Sequence, residues 1–315
     1  MIELPTEPPS WDAFLTWGSA APPALPALGA ALGLLYLLGW ATLIARGRRW
    51  PVMRVVSFLA ACGLLIALTG LRLEDYGYGM FSVFMFQQLT LMILIPPLLV
   101  WGAPGRMLLL TTPSRGFGRS LRRAALTALR SRLARWILHP AFGIPLFLVT
   151  YYGLYLSEIA DGLLASIPGH IALELGFLVA GVLFAVPILS PDPLPVRQSY
   201  PAKILDVAVE VALHAFFGVI LMIATTPLVE AFASPPASWD LDPLVDQQIA
   251  GGLAWSYGEG PTVLMLLWLL GAWYRDETLR TRRRDVEIDR DGDAELEAYN
   301  AFLQRLESPR GDQRG

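Results

Sequence analysis

The chain has 315 residues, of which 54% are hydrophobic and 16% charged, and its formal net charge is −3 at pH 7. Its apolar residues lie in blocks of about twenty, the length that crosses about 30 Å of hydrocarbon as a helix, so composition predicts an all-α polytopic membrane bundle that contacts lipid and no nucleic acid. The single cysteine, Cys62, excludes an intramolecular disulfide and a CxxC centre.

Seven apolar blocks predict seven transmembrane helices, at residues 24–45, 52–71, 80–101, 140–157, 169–190, 204–226 and 250–273. The loops between them are short and rich in proline, glycine and charged residues. We therefore expect an extracytoplasmic segment at residues 1–23, a transmembrane domain at residues 24–274 and a cytoplasmic tail at residues 275–315.

The basic residues predict how this bundle is oriented, because cytoplasmic loops retain Lys and Arg. Of the 24 basic residues, Arg72 alone would lie on the outer side, among many acidic residues. We expect the N-terminus outside, the C-terminus in the cytoplasm, and a multi-pass protein of the bacterial cell membrane. Residues 1–20 contain no Lys or Arg, so we expect no cleavable signal peptide and a first helix that remains in the protein.

Residues 114–137 predict an amphipathic helix that lies in the inner membrane interface. One face of this helix is apolar and the rest carries arginines, and the apolar face consists of Phe117, Leu121, Ala125, Leu129, Leu133 and Trp136. The alternative is a face that docks a partner protein.

Polar residues within the apolar blocks indicate where a site lies. Met85, Gln87 and Gln88 begin the third helix, and His170 and Glu174 lie four apart near the start of the fifth, so both groups belong to the outer leaflet. Thioether, imidazole and carboxylate groups that converge there are donors for a transition metal. The alternative is interhelical hydrogen bonding by the glutamines and histidine, with methionine filling the core.

Further polar residues extend this set along the last two helices. Met222 approaches from the outer end of the sixth helix, and Asp246 precedes the seventh. His214 and Glu259 lie nearer the middle of the membrane, where either polar packing or a proton path would explain them.

Five stretches carry a resemblance to a known family over almost the whole chain from about residue 50. They are FMFQQLTLMILIPPLLVWGAP, GHIALELGFLVAG, LHAFFGVILM, DQQIAGGLAWSYGEGP and DRDGDAELEAYNAFL. Together they resemble the CtaG-type cytochrome c oxidase assembly factors of bacteria. The resemblance implies an integral membrane protein that delivers or inserts copper during oxidase maturation, with oxidase subunits as partners.

The chain departs from this family where the resemblance implies metal ligands. Members usually carry His-Met-x-x-His on the third helix, and here the two histidine positions are Phe84 and Gln88. His170 is retained, and Glu174 stands where a second histidine is expected. The resemblance therefore implies a ligand set of His170, Glu174, Met85 and Gln88, and an amide oxygen is a poor ligand for cuprous ion.

Three functions are consistent with these residues. The first is a copper-handling oxidase assembly factor, and the second is a diverged scaffold that holds oxidase subunits without metal. The third is a transporter that uses Glu210, His214 and Glu259 as a polar path, although no repeat with paired broken helices is visible. We expect no enzyme, because the sequence contains no convincing nucleophile and base pair, phosphate loop or dinucleotide fingerprint.

Overall fold

The computed structural model describes residues 4–113, 115–192, 194, 198–291 and 294–307. It is 79% helical, and these residues form no β-strand, which confirms the predicted all-α helical bundle. The chain divides into two compact units, residues 1–266 and residues 267–315.

Sixteen α-helices follow one another within the described residues. They are α1 Trp11–Phe14, α2 Ala24–Ala45, α3 Val52–Gly70, α4 Leu73–Gly77, α5 Phe81–Leu89, α6 Ile95–Trp101, α7 Pro104–Thr111, α8 Gly116–Arg130, α9 Arg132–Ile137, α10 Pro140–Phe147, α11 Ile159–Leu164, α12 Ile167–Leu189, α13 Tyr200–Ile223, α14 Pro243–Ser256, α15 Glu259–Asp291 and α16 Ala294–Glu307. Two π-helical segments, Thr90–Leu94 and Leu148–Gly153, continue α5 into α6 and extend α10.

Among the described residues, five helices are long and apolar enough to span a membrane, and they correspond to the first, second, third, fifth and sixth predicted spans. The third, Phe81–Thr111, is central. In its most apolar stretch of 18 residues, 78% is buried in protein, against 22% in the corresponding stretch of Ala24–Ala45. Around it α2 packs on α3, α3 and α12 pack on α6, and α13 packs on α14, which also contacts α5.

The central span is irregular because of its prolines. Pro96 and Pro97 lack N–H groups, so the carbonyls four residues earlier lose their helical donors. The ladder changes to the wider π pattern over Thr90–Leu94, immediately before them. This widening displaces the side chains of the central span by a fraction of a turn halfway along the bundle.

The fourth and seventh predicted spans differ from the uniform helices that periodicity predicts. The fourth consists of α10, with Pro145 inside it, and the π-helical segment Leu148–Gly153. The seventh is divided between α14 and α15 at Tyr257 and Gly258. A continuous helix would place the ring of Pro261 against the carbonyl of Tyr257, whereas Pro261 in the first turn of α15 meets no such clash. The count of seven spans stays a prediction.

The predicted interfacial segment, residues 114–137, is also divided. Helices α8 and α9 meet at Ser131, whose hydroxyl accepts a hydrogen bond from the backbone N–H of Ala134 at 3.0 Å and so caps α9. Residue 114 and the side chains of Phe117 and Leu121 lie outside the described residues. The described residues thus form two helices here, and the interfacial position of residues 114–137 stays a prediction.

We call the two ends of unit 1 the acid-rich end, which carries Glu74 and Asp242, and the Arg-rich end, which carries Arg46 and Arg106. At the acid-rich end the segment before α2 folds over α4. The indole N–H of Trp239 donates to the carbonyl of Pro5 at 2.8 Å. A small apolar cluster lies beneath, formed by Ala13, Tyr76, Met80, Val83 and Trp239.

Candidate metal centre

A buried carboxylate begins the candidate site. Glu74 lies in α4, the short helix between the second and third spans, and its side chain is almost fully buried. The Gln87 side-chain amide donates to Glu74 Oε2 at 2.7 Å. Gly77 leaves the space that Gln87 needs, because a Cβ there would lie 2.1 Å from Gln87 Oε1. This fixed contact holds Glu74 toward the bundle interior.

The first two turns of α12 supply the other two ionisable groups. His170 and Glu174 are four residues apart, so both side chains leave the same face of the helix, and both are buried. One ligand atom from each of Glu74, His170 and Glu174 lies within 4.8 Å of the other two. His170 Nε2 and Glu74 Oε1 are 3.7 Å apart, and the Glu74 and Glu174 carboxyl groups are hydrogen-bonded to each other.

Aromatic rings enclose the imidazole of His170. The ring of Tyr78 stacks on it with centroids 3.8 Å apart and an interplanar angle of 14°, and the ring of Phe84 lies edge-on at 5.2 Å. Among the described residues neither ring nitrogen of His170 has a hydrogen-bond partner. A buried imidazole without partners is costly, so the arrangement favours a ligand that accepts its lone pair.

The electrostatics of the cluster follow from burial. Burial raises the pKa of Glu74 to about 7, because desolvation disfavours its charge more than the hydrogen bonds from Glu174 and Gln87 favour it. The neighbouring Asp75 raises it further. Burial also raises the pKa of the Tyr78 hydroxyl, with smaller contributions from Glu74 and Glu174. A cation in this cluster would compensate the negative charge that burial disfavours.

The predicted ligand residues are divided between two places. His170 and Glu174 meet in the cluster, and Gln87 reaches it through Glu74. Gln88 accepts a hydrogen bond from the Tyr155 hydroxyl. Met85, three residues before Gln88, is fully buried. The ligand set that includes Gln88 and Met85 stays a prediction.

Three of the other predicted polar residues have structural partners elsewhere. Asp246 accepts from the backbone N–H of Phe81 at 2.6 Å and of Ser82 at 3.2 Å, so it caps the third span. Met222 packs against Gly251 of α14, since a Cβ on that glycine would lie 2.8 Å from Met222 Cγ.

His214 pairs with Glu210 one turn earlier, while Glu259 is exposed at the start of α15.

Sequence reasoning missed Glu74 as a site residue. It counted Glu74 only among the acidic residues of the outer side, and no apolar periodicity covers so short a helix. The available signal was the length of the connection: a loop this short between two spans must stay against the helix ends. Only the packed structure turns the side chain toward α12.

Comparison with known proteins identifies the family. A family model described as cytochrome c oxidase caa3 assembly factor matches residues 34–276. Uncharacterized proteins of Mycobacterium bovis and Mycobacterium tuberculosis are each 34% identical over 314 residues, covering 94% of this chain and 48% of the relative. An uncharacterized protein of Mycobacterium leprae is 31% identical with the same coverage.

The chain therefore spans about half the length of the curated relatives it matches. No solved structure matches it. Since the family model covers well over half of the chain, this protein belongs to the cytochrome c oxidase caa3 assembly factor family.

Proposed function

We propose that this protein is a cytochrome c oxidase assembly factor that binds copper as its cargo at Glu74, His170 and Glu174. The observation that carries the proposal is the buried cluster itself, in which three ligand atoms lie within 4.8 Å of one another and both nitrogens of His170 lack hydrogen-bond partners. Family membership supports the oxidase as the client, and its subunits as the partners.

The donor atoms indicate which form of copper the cluster would hold. One imidazole nitrogen and two carboxylate oxygens are borderline and hard ligands, which suit a divalent ion better than soft cuprous ion. Ligands about 2 Å from one ion lie about 3.3 Å apart at a tetrahedral angle, so His170 Nε2 and Glu74 Oε1, now 3.7 Å apart, would have to approach each other slightly to bind one ion. Binding would displace the proton that the two carboxyl groups share.

The location also agrees with delivery to an oxidase subunit outside the membrane. The cluster lies at the acid-rich end, which the distribution of basic residues assigns to the extracytoplasmic side. We propose no catalytic step, because holding and releasing a metal requires only ligand exchange.

Copper binding by purified protein tests this proposal. His170→Ala should lower the affinity for divalent copper at least tenfold, which corresponds to about 1.4 kcal/mol. His139→Ala, which changes an exposed histidine, should leave the affinity unchanged. In cells His170→Ala should lower oxidase copper without lowering the amount of this protein. Unchanged copper in both measurements would contradict the proposal.

A metal-free scaffold is the second candidate, and Phe84 is the observation that favours it. The Phe84 ring lies edge-on to His170, at a position where the family resemblance implies an imidazole. A scaffold would bind oxidase subunits equally well with and without His170. Copurification of a subunit with His170→Ala, together with unchanged oxidase copper, would favour this function over copper handling.

A further inference from the structure

A second buried polar group lies halfway along the bundle, away from the candidate metal centre. Glu210 and His214 are one turn apart on α13, and both are almost fully buried. His214 Nδ1 lies 3.2 Å from Glu210 Oε1 and 3.1 Å from the backbone carbonyl oxygen of Glu210. Burial of an ionisable pair at this depth costs free energy, so such a pair is a candidate for a functional site.

The pair keeps hydrogen-bonding capacity that no described residue uses. Glu210 Oε2 and His214 Nε2 have no partner within the described residues, and neither has the hydroxyl of Tyr151. The Tyr151 ring lies 6.5 Å from that of His214, centroid to centroid. Three protonatable side chains therefore face one another with free donor or acceptor positions.

Three backbone irregularities of the described residues lie near this pair. The π-helical segment Leu148–Gly153 carries Tyr151, and the segment Thr90–Leu94 carries Ile93. The break between α14 and α15 places Gly258 so that a Cβ there would lie 2.7 Å from His214 Nε2 and 3.1 Å from Ile93 Cδ1. Within membranes, π-bulges and broken helices are tolerated where they line a functional site or a polar cavity.

Glu210 also borders two small cavities. One has a volume of about 20 Å³ and extends to Asp206 and the exposed His139 near the Arg-rich end. The other has a volume of about 10 Å³ and is lined in part by Met92 and Met265. Volumes of about 10–15 Å³ or more admit a water molecule when polar partners are present. The Glu210 carboxyl thus lies between two water-sized spaces, and one of them leads toward the surface.

We propose that Glu210 and His214 form a proton-exchange pair that takes up protons from the Arg-rich end through the cavity beside Asp206. Asp206, Glu210 and His214 recur every four residues, so they follow one face of α13 from that end to the middle of the bundle. A proton from water binds Glu210 as the neutral acid or passes to His214, and the pair releases the same proton.

The groups that face the pair are few. Tyr151 approaches from the π-helical segment after α10, Glu259 interacts electrostatically with His214 from the start of α15, and Asp206 lies one turn away on α13 itself. No described arginine or lysine lines either cavity.

Infrared spectroscopy of the purified, lipid-reconstituted protein tests the pair directly. The spectrum of the wild type minus that of Glu210→Gln should contain the C=O stretch of a protonated buried carboxyl, and this subtraction removes the contribution of Glu74 and Glu174, which both proteins retain. His214→Gln should shift the frequency of that band, because His214 Nδ1 lies 3.2 Å from Glu210 Oε1 and the substitution changes this contact. A difference spectrum without that band, or a band whose frequency His214→Gln leaves unchanged, would overturn the proposal.

The route by which protons reach Glu210 can be tested with two matched glycine variants. Gly143 lines the cavity beside Asp206, and a Cβ there would meet only Phe184 Cδ2 at 3.6 Å, so the side chain of Gly143→Leu should extend into that space. Gly176, on α12, has nothing within 4 Å and lines neither cavity. Transfer to D2O should deuterate the Glu210 carboxyl several-fold more slowly in Gly143→Leu than in Gly176→Leu.

A second variant distinguishes a blocked proton route from a folding defect. Asp206→Asn conserves the shape of the side chain and should slow deuteration in the same direction while helix content stays unchanged. Equal rates in the wild type, Gly143→Leu and Asp206→Asn would show that protons reach Glu210 by another way and would overturn the proposed route. Copper binding at Glu74, His170 and Glu174 should be unaffected by these variants, so the two proposals succeed or fail separately.

Discussion

At the scale of single residues, the candidate metal centre depends on one amide that is not itself proposed to bind metal. Gln87 donates to Glu74 at 2.7 Å and thereby leaves the other carboxylate oxygen directed at His170. The two adjacent glutamines consequently have different roles, since Gln88 binds Tyr155 instead. The sequence alone gives no reason to assign the two glutamines different roles.

Removal of this amide should weaken both the fold and the metal site. Gln87→Leu leaves a buried carboxylate oxygen without its donor, which costs about 1–3 kcal/mol. We expect a lower Tm in detergent and weaker divalent copper binding. Gln248→Leu, at an exposed glutamine, is the control and should change neither quantity. If Gln87→Leu binds copper as tightly as the wild type, Gln87 does not position Glu74.

Phe84 offers the opposite test, a gain of affinity. Its ring lies 5.2 Å from the His170 ring, so Phe84→His adds an imidazole at the edge of the cluster. We expect copper affinity to rise at least tenfold, about 1.4 kcal/mol, measured by competition with a chelator. Phe86→His, whose position contacts Tyr257 instead, should give no such rise. The change at Gln88 is unnecessary, because that side chain points to Tyr155.

At the scale of elements, close contact between α12 and the central span holds His170 and Glu174 of α12 in register with α4 and α5. Gly181 of α12 permits this contact, because a Cβ there would lie 2.2 Å from the Met92 carbonyl oxygen and 2.6 Å from Pro96 Cγ. Small residues at such crossings are the usual means by which membrane helices approach each other.

Replacement of two different glycines of α12 by alanine should therefore have opposite effects on the stability of the protein. Gly181→Ala must separate the helices and should destabilise the protein by about 1–3 kcal/mol, the usual cost of overpacking. Gly176→Ala meets open space and should be neutral or stabilising by up to about 1 kcal/mol, the helix propensity difference. Thermal unfolding of both variants in one detergent measures the contrast, and a stable Gly181→Ala would refute the close crossing.

At the scale of the whole molecule, the arrangement of charge predicts which end faces the cytoplasm. Arg46 and Arg106 mark one end of unit 1, and Glu74 and Asp242 mark the other. The proposed delivery of copper outside the membrane requires the acid-rich end to be extracytoplasmic. The proposed proton route from the Arg-rich end would then open toward the cytoplasm.

Cysteine labelling in intact cells tests this orientation. Ser234 and Ser120 are both exposed, at the acid-rich end and on α8 respectively, and the native Cys62 is buried. Ser234→Cys should react with an impermeant thiol reagent, whereas Ser120→Cys should react only after the membrane is permeabilised. The reverse pattern would invert the topology and with it the side from which copper is delivered.

The sequence by itself determined the helical membrane architecture, the positions of five spans and the family, because hydrophobic blocks of fixed length and ordered motifs are local properties of the chain. It also paired His170 with Glu174, since a spacing of four sets one helical face. Tertiary packing alone decided that Glu74 completes the cluster, because burial of an acid in a short connecting helix depends on which distant helix lies beside it. The same holds for Gln87 and Gln88: they are neighbours in the chain, but the 100° rotation between successive helical residues directs them to different partners, Glu74 and Tyr155, which only the folded bundle supplies.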